Sequence, residues 1–251
     1  INKSIHYLKL AANQNNSVAQ VDLGRIYYKG EYIARDTNKS IHYFTLAANQ
    51  NDSDAQTDLG YIYYEGKYIT RDISKSIHYF TLAANQNNDT AQFFLGFIYF
   101  MGEYITKDIS KSIYYLTLSV KQNNKCAQTV LGIIYLMDME IPKNVKKATY
   151  YLHLAGNQRE HSAEFLLGVF YSKGECVKQD IDKAIHYYKE ASSFNITQAK
   201  NNLAIIYRKG IFTQKRIGYS IELLKESVKL NDRVSMYNLA HIYFYETNIG
   251  V

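Results

Sequence analysis

Leucine returns every 36 residues along this chain, at Leu23, Leu59, Leu95, Leu131, Leu167, Leu203 and Leu239, with no insertion or deletion between copies. A tyrosine follows each leucine by four positions, from Tyr27 and Tyr63 through to Tyr243. A small residue stands directly after each: Gly24, Gly60, Gly96, Gly132 and Gly168, then Ala204 and Ala240. A fixed period of about 20–50 residues marks stacked units, each unable to bury its own apolar face and each covered by its neighbours. A length of 251 residues would otherwise allow one or two globular domains; the repetition predicts one elongated array instead. With 47% hydrophobic and 14% aromatic residues the chain can build a continuous core, which excludes disorder.

Residues 53–88 illustrate one unit. From Ser53, the apolar positions Ala55, Leu59, Ile62 and Tyr63 recur at helical spacing. Gly66 is placed to end that helix, where a left-handed residue without a Cβ is cheapest. Tyr68 and Ile69 read as an apolar plug in the loop, and Asp72 as the cap of a second helix. Ile77, Tyr79, Phe80, Leu82, Ala83 and Ala84 form that helix, which runs out in the polar stretch 85–88. The unit is therefore two antiparallel helices joined by a short loop. Gly60 lies mid-helix, where glycine costs about 1 kcal/mol relative to alanine, so another helix is expected to approach closely there.

Extended along the chain, the pattern gives a partial unit at 1–16, complete units at 17–52, 53–88, 89–124, 125–160, 161–196 and 197–232, and a partial unit at 233–251. Segments 31–51 and 67–87 agree at 17 of 21 positions, as recent duplicates would. The fourth unit has Asp138 in place of the turn glycine, close to the only proline, Pro142, and a local bend is expected there. Because the chain begins inside one unit at Ile1 and stops part-way through another, it is expected to be a fragment of a longer protein.

The unit carries A-x-x-x-L-G-x-x-Y (Ala55, Leu59, Gly60, Tyr63), then D-x-x-K-[SA] (Asp72, Lys75, Ser76), then Y-[FY]-x-x-A-A (Tyr79, Phe80, Ala83, Ala84). It resembles the Sel1-like repeat of the tetratricopeptide-like superfamily, over essentially the whole chain. The departures are few: Asp138 for the loop glycine, Asn144 and Arg216 for the capping aspartate, Ser235 for the Ala199-type alanine. The resemblance implies an all-α, right-handed superhelical solenoid of antiparallel helix pairs. It also implies an adaptor that holds peptides or proteins on its concave side, as in signalling or ubiquitin-ligase assemblies. Some bacterial relatives linked to β-lactam chemistry carry a disulfide in each repeat; this chain lacks those cysteines, and the activity is not carried over.

In that superfamily the concave face is lined by the first helix of each pair, at positions two before, two after and five after the recurrent leucine. Here those columns include Arg25 and Tyr28; Tyr61 and Tyr64; Phe93, Phe97 and Phe100; Ile133 and Leu136; Phe165; and Asn201 and Arg208. The columns vary between units while the Leu/Tyr columns hardly do. Tyr61, Tyr64, Phe93, Phe97, Phe100, Ile133 and Leu136 would form one aromatic and apolar strip. That strip is either a groove for an amphipathic helix or extended peptide or, if the helices curl tightly, part of the core.

The remaining signals narrow the function classes. Net charge is +6. Residues 200–233 hold eight bases against three acids, which makes an acidic partner near that segment one reading and a solvated surface the other. Cys126 and Cys176 have neither a metal nor a disulfide spacing, as expected for a reducing, cytoplasmic compartment. The alternative is the ER lumen, if a signal peptide lies upstream. No apolar run approaches the roughly 20 residues of a membrane span. His6, His42, His78 and His186 share one second-helix column, about 10 Å apart by helix-packing distance, too far to share a metal. His153, His161 and His241 occur singly and read as lacking partners. With no nucleophile beside a base, no paired carboxylates out of register and no phosphate-binding loop, neither an enzyme nor a cofactor is expected. RNA binding would need bases along the concave columns, where only Arg25 and Arg208 occur, so nucleic acid is disfavoured. The further alternative is the non-catalytic repeat region of a multidomain enzyme such as a kinase.

Overall fold

The computed structural model describes residues 2–137, 140–174, 177–210 and 213–246, and among these it contains fourteen helices and no strand. The first helices of the repeats are α2 (Ser17–Lys29), α4 (Ser53–Glu65), α6 (Asp89–Met101), α8 (Lys125–Met137), α10 (His161–Lys173), α12 (Thr197–Lys209) and α14 (Arg233–Tyr245). The second helices are α1 (Asn2–Asn13), α3 (Thr37–Asn49), α5 (Ile73–Asn85), α7 (Ile109–Lys121), α9 (Val145–Asn157), α11 (Ile181–Ser193) and α13 (Ile217–Val228). Asp138, Cys176 and Gly250 lie outside the described residues, and with them the bend expected at Asp138.

The helix ends follow from side chains that satisfy free backbone groups. Asp36, Asp72, Asp108 and Asp180 each accept a hydrogen bond from the backbone N–H three residues on, at 2.9–3.0 Å. Asn144 makes the same bond to Lys147 at 3.0 Å, so its replacement of aspartate changes charge and not geometry. Arg216 makes no side-chain cap. Gly66 sits at φ +62°, its N–H bonded to the Ile62 carbonyl at 3.1 Å, and a Cβ there would lie 2.6 Å from that of Arg71. Between repeats the chain turns through a left-handed residue at Asn15, Asn51, Asn87, Asn123, Arg159, Asn195 and Asn231. Asparagine tolerates that conformation better than most residues, which gives the polar run after each second helix a structural purpose.

The chain forms two compact units, 1–127 and 128–251. In the first, α2 packs on α3, α4 on α5 and α6 on α7, and successive repeats join through α3 with α4 and α5 with α6. Short connections make such neighbouring helices antiparallel. In the second, α10 packs on α11 and α12 on α13, with α9 on α10, α11 on α12 and α13 on α14. From Leu23 to Leu203 the recurrent leucines are 0–1% exposed; Leu239, in the terminal helix, is half-buried. The close approach expected at Gly60 is made by a ring of the same repeat: a Cβ on Gly60 would stand 2.6 Å from Phe80 Cδ1. Phe44 fills the same place over Gly24 and Tyr188 over Gly168.

The D-x-x-K motif gains a physical account. The Asp72 N–H donates to the Tyr63 carbonyl at 3.0 Å, tying the second helix's cap to the first helix. The Lys75 ammonium lies 3.5 Å from the Asp72 carboxylate and 5.1 Å from the Tyr63 ring centre. That ring in turn lies parallel to Tyr79, with centroids 6.0 Å apart. The cluster recurs around Tyr27, Tyr99 and Tyr171, and around Tyr135 without the ion pair, since Asn144 stands at the cap there. The loop plug departs from expectation by half. Ile69 packs on the core, but Tyr68 is exposed and covered instead by the Arg35 guanidinium of the preceding repeat, 4.1 Å above its ring.

A buried amide ladder has no counterpart in the sequence reading. Gln20, Gln56 and Gln92 are each 1% exposed. Their side-chain carbonyls accept from Gln50, Gln86 and Gln122 at 2.8–2.9 Å. In the second unit Gln128 accepts from Gln158 at 2.9 Å. Thereafter the column changes to Glu164, bonded to His161 at 2.9 Å, and Lys200, paired with Glu226 at 2.8 Å.

Candidate recognition surface

The first helices present a face that their packing leaves partly open. In the first unit Tyr61 is 38% exposed, while Tyr28, Tyr64, Phe93, Phe97 and Phe100 are half-buried. They are thus neither sealed core nor isolated surface rings. Phe93 lies beside Phe97 with centroids 5.9 Å apart. The Tyr28 hydroxyl donates to the Glu65 carboxylate, and burial together with that bond raises its pKa. Arg25 is exposed and holds Asp58 at 2.8 Å, with Asp54 at 3.6 Å; burial pushes the Asp58 carboxyl up despite that partner.

In the second unit, Ile133 and Leu136 are half-buried, and Leu136 packs on the cluster around Leu152 and Phe170. Phe165 leans on the Tyr188 ring at 6.1 Å. Asn201 departs from expectation. It is 5% exposed, its amide donates to Asp232 at 2.9 Å, and its carbonyl accepts from Ser235 at 2.9 Å. Val21, Thr57 and Thr129, in the same column two before the leucine, are also buried, whereas Phe93 and Phe165 there are half-buried. Arg208 is half-buried, donating to Glu246 and lying 2.9 Å from His241 Nδ1.

The column that sequence reasoning missed stands one residue before the leucine. There Asp58 meets Arg25, and Phe94 stacks on Phe80 with centroids 4.9 Å apart while touching Tyr61 and Tyr64 at 5.7 and 5.9 Å. A register that alternates between short polar residues (Asp22, Asp58, Asn202, Asn238) and apolar ones (Phe94, Val130, Leu166) was the available signal. Where this residue is short and polar, a cleft opens. One of about 410 Å³ lies between α2 and α4, bounded by Tyr28, Phe44, Asp58 and Tyr61. Another of about 360 Å³ lies between α10 and α12, bounded by Ser172, Tyr188, Asn202 and Ile205.

The histidines divide. His6, His42, His78 and His186 are exposed. His153, by contrast, has partners, its two ring nitrogens 3.3 and 3.2 Å from the hydroxyls of Tyr171 and Tyr187; burial lowers its pKa. His161 stacks on Phe194 beside Glu164, and His241 contacts Arg208. Among the described residues no group of three or more His, Cys, Asp or Glu converges as a metal site, and no helix is long and apolar enough to cross a membrane. Four of the bases in 200–233 are engaged internally: Lys200 with Glu226, Arg208 and Lys215 with Glu246, and Arg216 over the Tyr207 ring.

The Sel1 repeat model matches residues 1–16, 17–52, 53–88, 89–124, 127–159, 161–193, 197–232 and 233–251. The chain belongs to the Sel1 repeat family. Among solved structures it is similar to a protective antigen of uropathogenic Escherichia coli strains that displays an SLR fold. The identity is 23% and the TM-score 0.84, over 95% of this chain and 51% of the antigen, so the chain spans about half that relative's length. It is also similar to a Sel1 repeat protein from Oxalobacter formigenes, at 22% identity and a TM-score of 0.79, over 90% of this chain and 93% of the other. Comparison with curated protein sequences gave no match. These likenesses establish the α-solenoid fold. In Sel1 terms, the Leu, Gly and Tyr columns that define the repeat are the ones the structure devotes to packing, and the variable first-helix columns are those it leaves partly open.

Proposed function

We propose that this Sel1 repeat chain is a protein-interaction scaffold that holds peptides or proteins against the face of its first helices, chiefly through Tyr61, Tyr64, Phe93, Phe97 and Phe100. The observation that carries the reading is the half-burial of these rings in columns that change from repeat to repeat. Rings that packing fully encloses, Phe44, Phe80 and Tyr188, are only 0–1% exposed, whereas half-exposed aromatics carry much of the energy in protein recognition. The polar residues on this face are largely matched internally, Arg25 by Asp58 and Arg208 by Glu246, so apolar anchors are the available currency. That pairing also disfavours RNA, which needs unpaired bases along the face. Lys209, Lys225, Lys229 and Arg233 remain exposed for an acidic partner. A role in a cytoplasmic signalling or ubiquitin-ligase-type complex accords with the resemblance and with the sparse cysteines.

The test is affinity capture with wild-type chain and with Phe93→Ser/Phe97→Ser/Phe100→Ser, alongside circular dichroism. The reading predicts that proteins retained by wild type are lost from the variant while helicity is kept. A variant that unfolds would make these rings core, and one that retains the same partners would move the site elsewhere.

A further inference from the structure

The repeats are near copies, so one repeat shows what fits in another. In the third repeat the position before the leucine is Phe94, whose ring stacks on Phe80 and lies against Tyr61 and Tyr64. One repeat earlier the same register holds Asp58. Its carboxylate is drawn to Arg25 at 2.8 Å and cannot occupy the space a ring would fill. What remains is the cleft of about 410 Å³ between α2 and α4. The framework around it is retained: Phe44 for Phe80, Tyr28 for Tyr64, Arg25 for Tyr61, and Tyr61 for Phe97. The first unit therefore contains one copy of this pocket filled from within and one left open.

We infer that the open cleft receives a single aromatic side chain from a peptide partner, seated where Phe94 sits in the next repeat. This rests on the scaffold reading and names the anchor it requires. The ring would lie against Phe44, Tyr28 and Tyr61, with the Arg25 guanidinium over its face, an arrangement that favours an electron-rich aromatic over an aliphatic chain. Because Arg25 is already balanced by Asp58, the occupant is uncharged: phenylalanine or tyrosine, not a carboxylate. The cleft between α10 and α12 has the same register, four repeats along the sequence, with Tyr188 in the Phe44 place and Asn202 in the Asp58 place. There the Tyr188 hydroxyl is bonded to Ser172 and Asn202 at 3.1 and 3.2 Å. That more polar lining makes the first-unit cleft the stronger receptor for an apolar ring.

The experiment is a heteronuclear NMR titration of the full chain with N-acetyl-L-phenylalaninamide, using N-acetyl-L-alaninamide as control. Shifts confined to residues 25–29 and 58–62 with the phenylalanine probe alone support the inference. Asp58→Phe, which supplies the missing ring from within, is expected to weaken the probe about tenfold or more; Asp58→Leu serves if that variant does not fold. Phe94→Ala is expected to open a second site, with new shifts at 61–65. The inference is overturned by equal responses to both probes, by no shifts at 25–29, or by undiminished binding to the filled variant. Those outcomes leave the scaffold reading intact, because partner capture through Phe93, Phe97 and Phe100 is measured separately.

Discussion

Two small residues in one repeat show opposite local balances. Gly60 lies in α4, where alanine would gain about 1 kcal/mol of helix propensity. Its Cβ would meet three Phe80 ring atoms at 2.6–2.9 Å, and Phe80 is 0% exposed, with no room to swing away. Overpacking wins, and Gly60→Ala is expected to destabilise the chain by about 1–3 kcal/mol in denaturant unfolding. Ser76 is the reverse case. Its hydroxyl is buried with no hydrogen-bond partner, while Ala148 and Ala184 fill the same column at 0% exposure. Ser76→Ala should stabilise the chain by up to about 1 kcal/mol, read from the same unfolding curves. The sequence made the tight spot at Gly60 legible, because a conserved spacing of mid-helix glycines has few causes. It could not show which ring presses on it, since that contact depends on how two helices rotate about their axes.

At the scale of the helices, the second-helix caps set an acid limit on stability. The carboxylates of Asp36, Asp72 and Asp108 lie below their ordinary pKa, chiefly because each accepts a backbone N–H bond, with the i+3 lysine adding to it. A carboxylate whose folded pKa is depressed stabilises the fold above its unfolded pKa, and that stability is lost as pH falls through the folded value. Thermal midpoints are thus expected to drop from about pH 4 downwards. Asp36→Asn/Asp72→Asn/Asp108→Asn should flatten that drop without removing the caps, since Asn144 shows that asparagine caps in this position. An unchanged acid profile in the triple variant would place the titration elsewhere. The helix boundaries and caps were readable because they depend on neighbours within four residues. The Gln56–Gln86 bond was not, because its partners stand 30 positions apart and glutamine in a polar-looking column carries no sign of burial. The same distance problem misplaced Asn201, which reads as a ligand-facing amide and is spent on Asp232 and Ser235.

For the molecule as a whole, each unit divides its residues between columns that repeat and columns that vary. The repeating ones hold the helices together; Leu59, Leu95 and Leu167 differ little in their surroundings and hardly at all in sequence. Arg25, Tyr61 and Phe97 share a register yet differ in charge and size, which packing alone would not require. The helix pairs were therefore legible from periodicity, and the Sel1 repeat from its motif residues; the first-helix face came only with that resemblance. The depth of each ring and the clefts between first helices were not, because they turn on one residue per repeat, the position before the leucine. The most direct test is hydroxyl-radical footprinting of the full chain with and without a captured partner. Tyr114 and Tyr150, 60% and 59% exposed on second helices, provide internal controls. Loss of reactivity at Tyr61, Phe93 and Phe97 with Tyr114 and Tyr150 unchanged is the expected result. Protection of Tyr114 and Tyr150 with Tyr61 and Phe97 left reactive would contradict the account.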